Sequence, residues 1–144
     1  MSSTLRNTVS LSGDWDLAFD PDNIGKPRKW FNKFPRSVKM AVPGVWEQVR
    51  PDYDGVAWYR RSFDVPGTWI GQRTVRLHFG AVMYFSEVYL NGEKIGEHEG
   101  GHTPFEFDIS DTAKAGNNVV ILRVIGPPMN EEIEGFRSGA PLNQ

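Results

Sequence analysis

The sequence predicts an all-β protein, an antiparallel sandwich or barrel, and three observations carry that reading. Apolar and polar residues alternate with a period of two in several short runs. Turn-forming residues punctuate the chain between those runs. No stretch of eleven or more residues keeps a 3.6-residue period.

Taken in order, the elements are these. Residues 20–37, DPDNIGKPRKWFNKFPRS, are rich in Pro, Lys and Arg and read as a long surface connection. Residues 41–59, AVPGVWEQVRPDYDGVAWY, read as a loop running into a strand. In that strand Tyr59, Phe63 and Val65 share one parity, which Arg61 interrupts, and Pro66-Gly67 ends it. Val75, Leu77 and Phe79 alternate with Arg76 and His78, so His78 is expected to face outward. Val88 and Leu90 alternate with Glu87 and Tyr89, and Asn91-Gly92 follows, a pair that tolerates positive φ and predicts a hairpin turn. Phe105, Phe107 and Ile109 alternate with Glu106 and Asp108. After a break at Ala115-Gly116-Asn117, Val119 to Val124 is nearly continuously apolar, as in a central strand. Leu77, Val88, Leu90, Phe105, Phe107, Ile109 and Leu122 are expected to face the core. Residues 126–144 are polar and rich in Gly and Pro, and no strand is expected there.

The totals bound the function. The chain has 144 residues, enough for one domain, 1–144, with a proper core. A net charge of −2 offers no general attraction for nucleic acid or an anionic membrane, and no apolar run approaches the ~20 residues of a spanning helix. The absence of cysteine excludes a disulfide framework and a thiolate zinc site. With no apolar stretch in Met1–Leu11 to act as a leader, a cytoplasmic location is favoured. The five Trp and nine Phe suit a sandwich core and also the stacking faces of sugar sites.

Candidate chemistry is sparse. His98, Glu99 and His102 invite a metal reading, but Gly100-Gly101 and Pro104 argue against the helix that would align the two histidines. A solvated strand connection is the favoured reading. Glu131, Glu132 and Glu134 cluster in the polar tail, where no apolar neighbours could hold two carboxyls rigidly about 5 Å apart with one kept protonated. No nucleophile elbow, phosphate-cradling glycine pattern or dinucleotide fingerprint occurs, and no cofactor is expected. The loop of residues 46–54 is more informative. It places Trp46 and Tyr53 beside Glu47, Asp52 and Asp54, and aromatic faces among carboxylates are what sugar recognition uses. Trp58, next to the strand, is read as a core plug; for Trp46 a core role and a sugar-facing role both stand.

Five segments, in order, carry a resemblance: LSGDWDLAFDPDNIG, AVPGVWEQ, GVAWYRRSFDVP, RLHFGAVMYFSEVYLNGEKIGEHEGGHTPFEFDIS and AGNNVVILRV. Together they resemble the N-terminal sugar-binding domain of glycoside hydrolase family 2, the family of β-galactosidases, β-glucuronidases and β-mannosidases, over roughly residues 11 to 135. The resemblance implies a jelly-roll sandwich of the galactose-binding-domain type, with its closing strand missing after residue 126. It makes the GEHEGGHTPF stretch a structural part of the jelly roll. It also implies that the catalytic glutamates belong to a separate (β/α)8 barrel, so this chain alone has no catalytic residues. The partners it implies are carbohydrate, bound weakly by the chain alone through Trp46, Glu47, Asp52, Tyr53 and Asp54, and the catalytic barrel. An exposed sheet edge would add self-association; nucleic acid and membrane are not expected. A free-standing carbohydrate-binding module and a purely structural docking domain are the alternatives.

Overall fold

The structure is a computed structural model that describes residues 10–11, 13–42, 55–71, 74–80, 85–99 and 104–126, together with the backbone of 132–133 and 136–137. Among these residues ten strands follow in chain order: β1 Gly13–Phe19, β2 Val38–Val42, β3 Gly55–Val65, β4 Arg76–Phe79, β5 Phe85–Leu90, β6 Glu93–Glu99, β7 Phe105–Asp108, β8 Gly116–Gly126, β9 Glu132–Ile133 and β10 Phe136–Arg137. A 3-10 turn, Gly67–Trp69, follows β3, and the described residues contain no α-helix. Six strands form one sheet in the order β2-β1-β3-β8-β5-β6, and β4 and β7 form a second. Every pairing is antiparallel. The protein is thus an antiparallel sandwich of jelly-roll type.

The core between the sheets follows the period-two pattern. Trp15 and Leu17 of β1, Met40 of β2, Ala57 of β3, Val88 and Leu90 of β5 and Val120, Leu122 and Val124 of β8 meet Leu77 and Phe105 of the second sheet, with Val75 and Ile109 flanking it. All seven expected core residues are there, Phe107 as a half-buried member. Tyr59 and Phe63 pack against the same core, and Val65 is buried. Gly96 is where β6 meets the second sheet. A Cβ there would lie 2.3 Å from the Phe107 ring, so only glycine allows that approach.

β8 is central, between β3 and β5, and its apolar run reflects burial on both faces. The burial on the outer face corrects the reading of residues 20–37. They are not a free surface connection. They form a chain of turns laid over the back of the six-stranded sheet, where Trp30, Phe31 and Phe34 pack on a second apolar cluster: Ala18, Val56, Trp58, Phe85, Tyr89, Ile121 and Ile125. Phe31 stacks on Tyr89 at 4.8 Å, and Trp30 meets Trp58 edge-on at 5.9 Å. Pro and Lys/Arg disguised a segment whose three aromatics are a second core.

The expected turn at Asn91-Gly92 joins β5 to β6, with φ of 53° and 88°. Asn91 does more than turn. Its amide nitrogen donates to Asn118 Oδ1 at 3.0 Å and its Oδ1 accepts from the Val119 amide at 2.9 Å. Asn118, fully buried, donates in turn to the carbonyls of Lys114 and Gly116. In the polar tail, where no strand was expected, Ile133 and Glu132 pair with Phe136 and Arg137 in a two-residue ladder.

Candidate functional site

Strand registers bring several connections to one end of the sandwich. Gly55 at the start of β3 lies opposite Gly126 at the end of β8, and Phe85 at the start of β5 lies opposite both Ile125 and Glu99. Phe79 at the end of β4 pairs with Phe105 at the start of β7. Connections 81–84 and 100–103, the C-terminal end of connection 43–54 where it enters β3, and the chain after Gly126 therefore meet the sheets at this end. Connections at one end of a rigid sandwich are where such folds carry binding residues.

The five predicted sugar-site residues, Trp46, Glu47, Asp52, Tyr53 and Asp54, lie outside the described residues, as do Trp46's alternative core role and His102, Glu131 and Glu134. Their anchorage is described. The connection leaves from Val42, paired with Gly13 at one end of β1, and enters β3 at Gly55, beyond the Phe19–Ala57 pair at the other end. Gly55 and Gly126 face each other with no side chain on either.

Aromatic rings close the end between the sheets. The His98 ring stacks on Phe105 at 4.2 Å and 9°, and Phe105 contacts Phe79 and Phe107. His98 and Glu99 are consecutive strand residues and point to opposite faces, so they cannot converge on one ion. Among the described residues no group of three His, Cys, Asp or Glu is placed to hold a metal. His78 faces outward on β4, 3.4 Å from Glu106, as expected.

Trp58 is the core plug the sequence favoured. It is wholly buried, and its indole N–H donates to Asp20 Oδ2 at 3.0 Å. Asp20 also accepts from the amides of Ile24 at 2.7 Å and Gly25 at 2.8 Å, so both carboxyl oxygens are bonded. A Cβ on Gly25 would come within 2.5 Å of the indole nitrogen.

A buried ionic group lies beside it, which sequence reasoning did not single out. Glu87 Oε1 accepts from Arg123 Nη1 at 3.1 Å, and Oε2 meets Lys26 at 3.2 Å and Lys94 at 3.4 Å. Arg123 reaches Asn23 Oδ1 at 2.8 Å and lies over the Trp58 ring at 6.0 Å. Burial alone would raise the Glu87 carboxyl, but the charge of Arg123, the hydrogen bond and charge of Lys26, and Lys94 more than offset it. The group is held below the usual carboxylate range. Burial, with Glu87's charge, pushes the neighbouring Tyr89 up to about 12. The signal was available: Glu87 and Arg123 are single charges inside otherwise apolar strands. Neither buried carboxylate suits acid catalysis. Glu87 is held ionised, and Asp20 is fully engaged by donors.

Comparison with known proteins gives this fold its family. Residues 48–132 match the model of the glycosyl hydrolases family 2 sugar binding domain. A β-glucuronidase of Paenibacillus borealis is 32% identical over 131 residues, which covers 87% of this chain and 22% of that protein. A β-galactosidase of Thermoanaerobacter pseudethanolicus is 47% identical over 75 residues, 51% of this chain and 10% of that protein. The Ruminococcus gnavus β-glucuronidase structure superposes with a TM-score of 0.81 at 33% identity, over 88% of this chain and 23% of that one. The chain belongs to glycosyl hydrolases family 2 and is its N-terminal sugar-binding domain; it spans about a fifth of the length of the first of these relatives. The matched segment takes in Asp52, Tyr53 and Asp54 and begins just after Trp46 and Glu47.

Proposed function

We propose that this domain is a non-catalytic part of a glycosidase of the β-glucuronidase or β-galactosidase type. In this reading Trp46, Glu47, Asp52, Tyr53 and Asp54 contribute to the substrate pocket, and the domain docks on a (β/α)8 catalytic barrel. The observation that carries it is the family match over residues 48–132, combined with relatives that are named glycosidases and several times longer than the matched region. The site chemistry agrees with a binding role. Residues 46–54 mix aromatic and acidic side chains, and the described buried carboxylates are committed to ion pairs and hydrogen bonds. Sugar binding by the domain alone is weak in this account, because the barrel supplies most of the pocket.

The test is hydrolysis. The purified chain, given nitrophenyl glucuronide and nitrophenyl galactoside, is expected to release no nitrophenol above the buffer rate. Turnover that co-purifies with the chain and vanishes in an alanine variant of one of its own carboxylates would overturn the proposal. Self-association belongs to the same reading. β4 and β7 pair only with each other among the described strands, and unpaired strand edges invite a further strand.

A further inference from the structure

Residues 26–39, KPRKWFNKFPRSVK, hold six cationic residues and no anionic one. Removing those six from the sixteen Lys and Arg of the chain leaves ten against eighteen Asp and Glu, so the rest of the molecule is acidic while this segment is strongly basic. The segregation has a structural counterpart. Residues 26–34 are part of the cover over the back of the six-stranded sheet, and Arg36 and Lys39 continue from it into β2.

Two of the six cations are neutralised within the fold, Lys26 by Glu87 and Lys39 by Asp16. Arg28, Lys29, Lys33 and Arg36 are exposed and have no ion-pair partner among the described residues. Three of them are mounted on a hydrogen-bonded series of turns: Arg28 N to Ile24 O, Lys29 N to Lys26 O, Trp30 N to Gly25 O and Lys33 N to Lys29 O, all between 2.9 and 3.0 Å. Lys29 sits at φ 58°, a left-handed conformation unusual for a lysine, which the surrounding turns hold in place. The aromatics between the cations are spent inward, Trp30 on Trp58, Phe31 on Tyr89 and Phe34 under Arg60. The segment therefore presents positive charge outward while its half-buried rings pack toward the sheet.

We propose that Arg28, Lys29, Lys33 and Arg36 form a docking face for an acidic glycan, a saccharide chain bearing carboxylate or sulfate groups. The inference rests on the sugar-binding character of the domain but not on residues 46–54. A neutral sugar would find only half-buried rings already packed on the sheet, and its hydroxyls would gain little from guanidinium and ammonium groups that bind carboxylate and sulfate. An ordinary protein interface needs an apolar centre, and Val38 is the only large hydrophobic residue exposed among the described ones. Single-stranded nucleic acid is held by aromatic stacking as well as charge, and the rings here are occupied. An acidic saccharide chain can follow an array of cations that the fold keeps unneutralised, and the sugar-binding family of the domain favours it over an acidic peptide or a nucleic acid.

The experiment measures the affinity of the whole chain for heparin and for polygalacturonate over a range of salt. Neutral dextran, polyglutamate and single-stranded DNA serve as comparators. Binding to at least one acidic glycan, weakening as salt rises, with none to dextran, is expected. The exposed variant R28Q/K29N/K33Q/R36Q, in which Asn at 29 tolerates the positive φ, should bind roughly tenfold or more weakly. The charge-keeping variant R28K/R36K should bind within a few-fold of the parent chain, and both should unfold at the parent's temperature. Absence of binding to both acidic glycans at low salt would overturn the proposal. So would binding that survives the fourfold variant, or polyglutamate or DNA binding as tightly as the glycans. Loss of glycan binding in W46A/Y53A with the four cations intact would also overturn it, by moving the site to the loop of the proposed function.

Discussion

Asp20, Trp58 and Gly25 form one hydrogen-bonded, close-packed unit, and its parts are not exchangeable. Asp20→Ala would leave the Trp58 indole N–H and the Ile24 and Gly25 amides without their acceptor, at a cost of about 3 kcal/mol. Gly25→Ala would force a methyl group against the indole and should cost about 1–3 kcal/mol. Urea unfolding of each variant measures both. Glu87 makes a second prediction at this scale. Its folded-state carboxyl lies below the usual range, as does that of Asp16, where the bonds and charges of Lys39 and Arg60 outweigh the opposing effect of burial. A depressed folded-state value means stability is fully present above the unfolded carboxylate value of about 4 and is lost as pH falls through the lower folded value. The urea midpoint should therefore hold steady from pH 7 to about 5 and fall below it, and Glu87→Gln should flatten that fall. Glu87→Gln also removes the carboxylate that pairs with the buried Arg123, so its midpoint at pH 7 should already lie below the parent's.

The inner layer of the sandwich was legible because alternation is a direct record of burial on one face. Leu77, Val88, Leu90, Phe105 and Ile109 were placed correctly on that ground alone, and Leu122 from the nearly continuous apolar run of a central strand. Leu90→Ala or Leu122→Ala should each cost roughly 2–5 kcal/mol in urea or thermal unfolding, whereas His78→Ala, exposed on β4, should change little. The cover of residues 20–34 was not legible. Its aromatics follow no period, because a chain of turns meets the sheet at irregular intervals, and its lysines and arginines imitate a solvated loop. The Asn91-Gly92 turn was visible as a pair of residues, but its tie to Asn118 was not, since that bond joins positions far apart in sequence. Asn91→Gly would keep the turn conformation and lose the bonds to Asn118 and Val119, and should cost about 1–2 kcal/mol. The short ladder of β9 and β10 escaped notice for a simpler reason: two-residue strands carry no alternation to read.

For the molecule as a whole, the family was recognisable because five segments stand in register, and the comparisons bear that out. The candidate site was read from residue types alone, since an aromatic and acidic loop has no periodicity and its geometry depends on what it packs against. Self-association, if strand edges drive it, should appear in sedimentation as a mass that rises with concentration; a strictly monomeric species over the whole range would remove that expectation. The central claim is that this domain binds sugar through residues 46–54 without catalysing its hydrolysis. An NMR titration of the labelled chain with glucuronic acid and with galactose tests it most directly. The account predicts shift changes or line broadening, weak and unsaturated at millimolar sugar, centred on Trp46, Glu47, Asp52, Tyr53 and Asp54. A response to both sugars that maps elsewhere on the chain while residues 46–54 stay silent would contradict it.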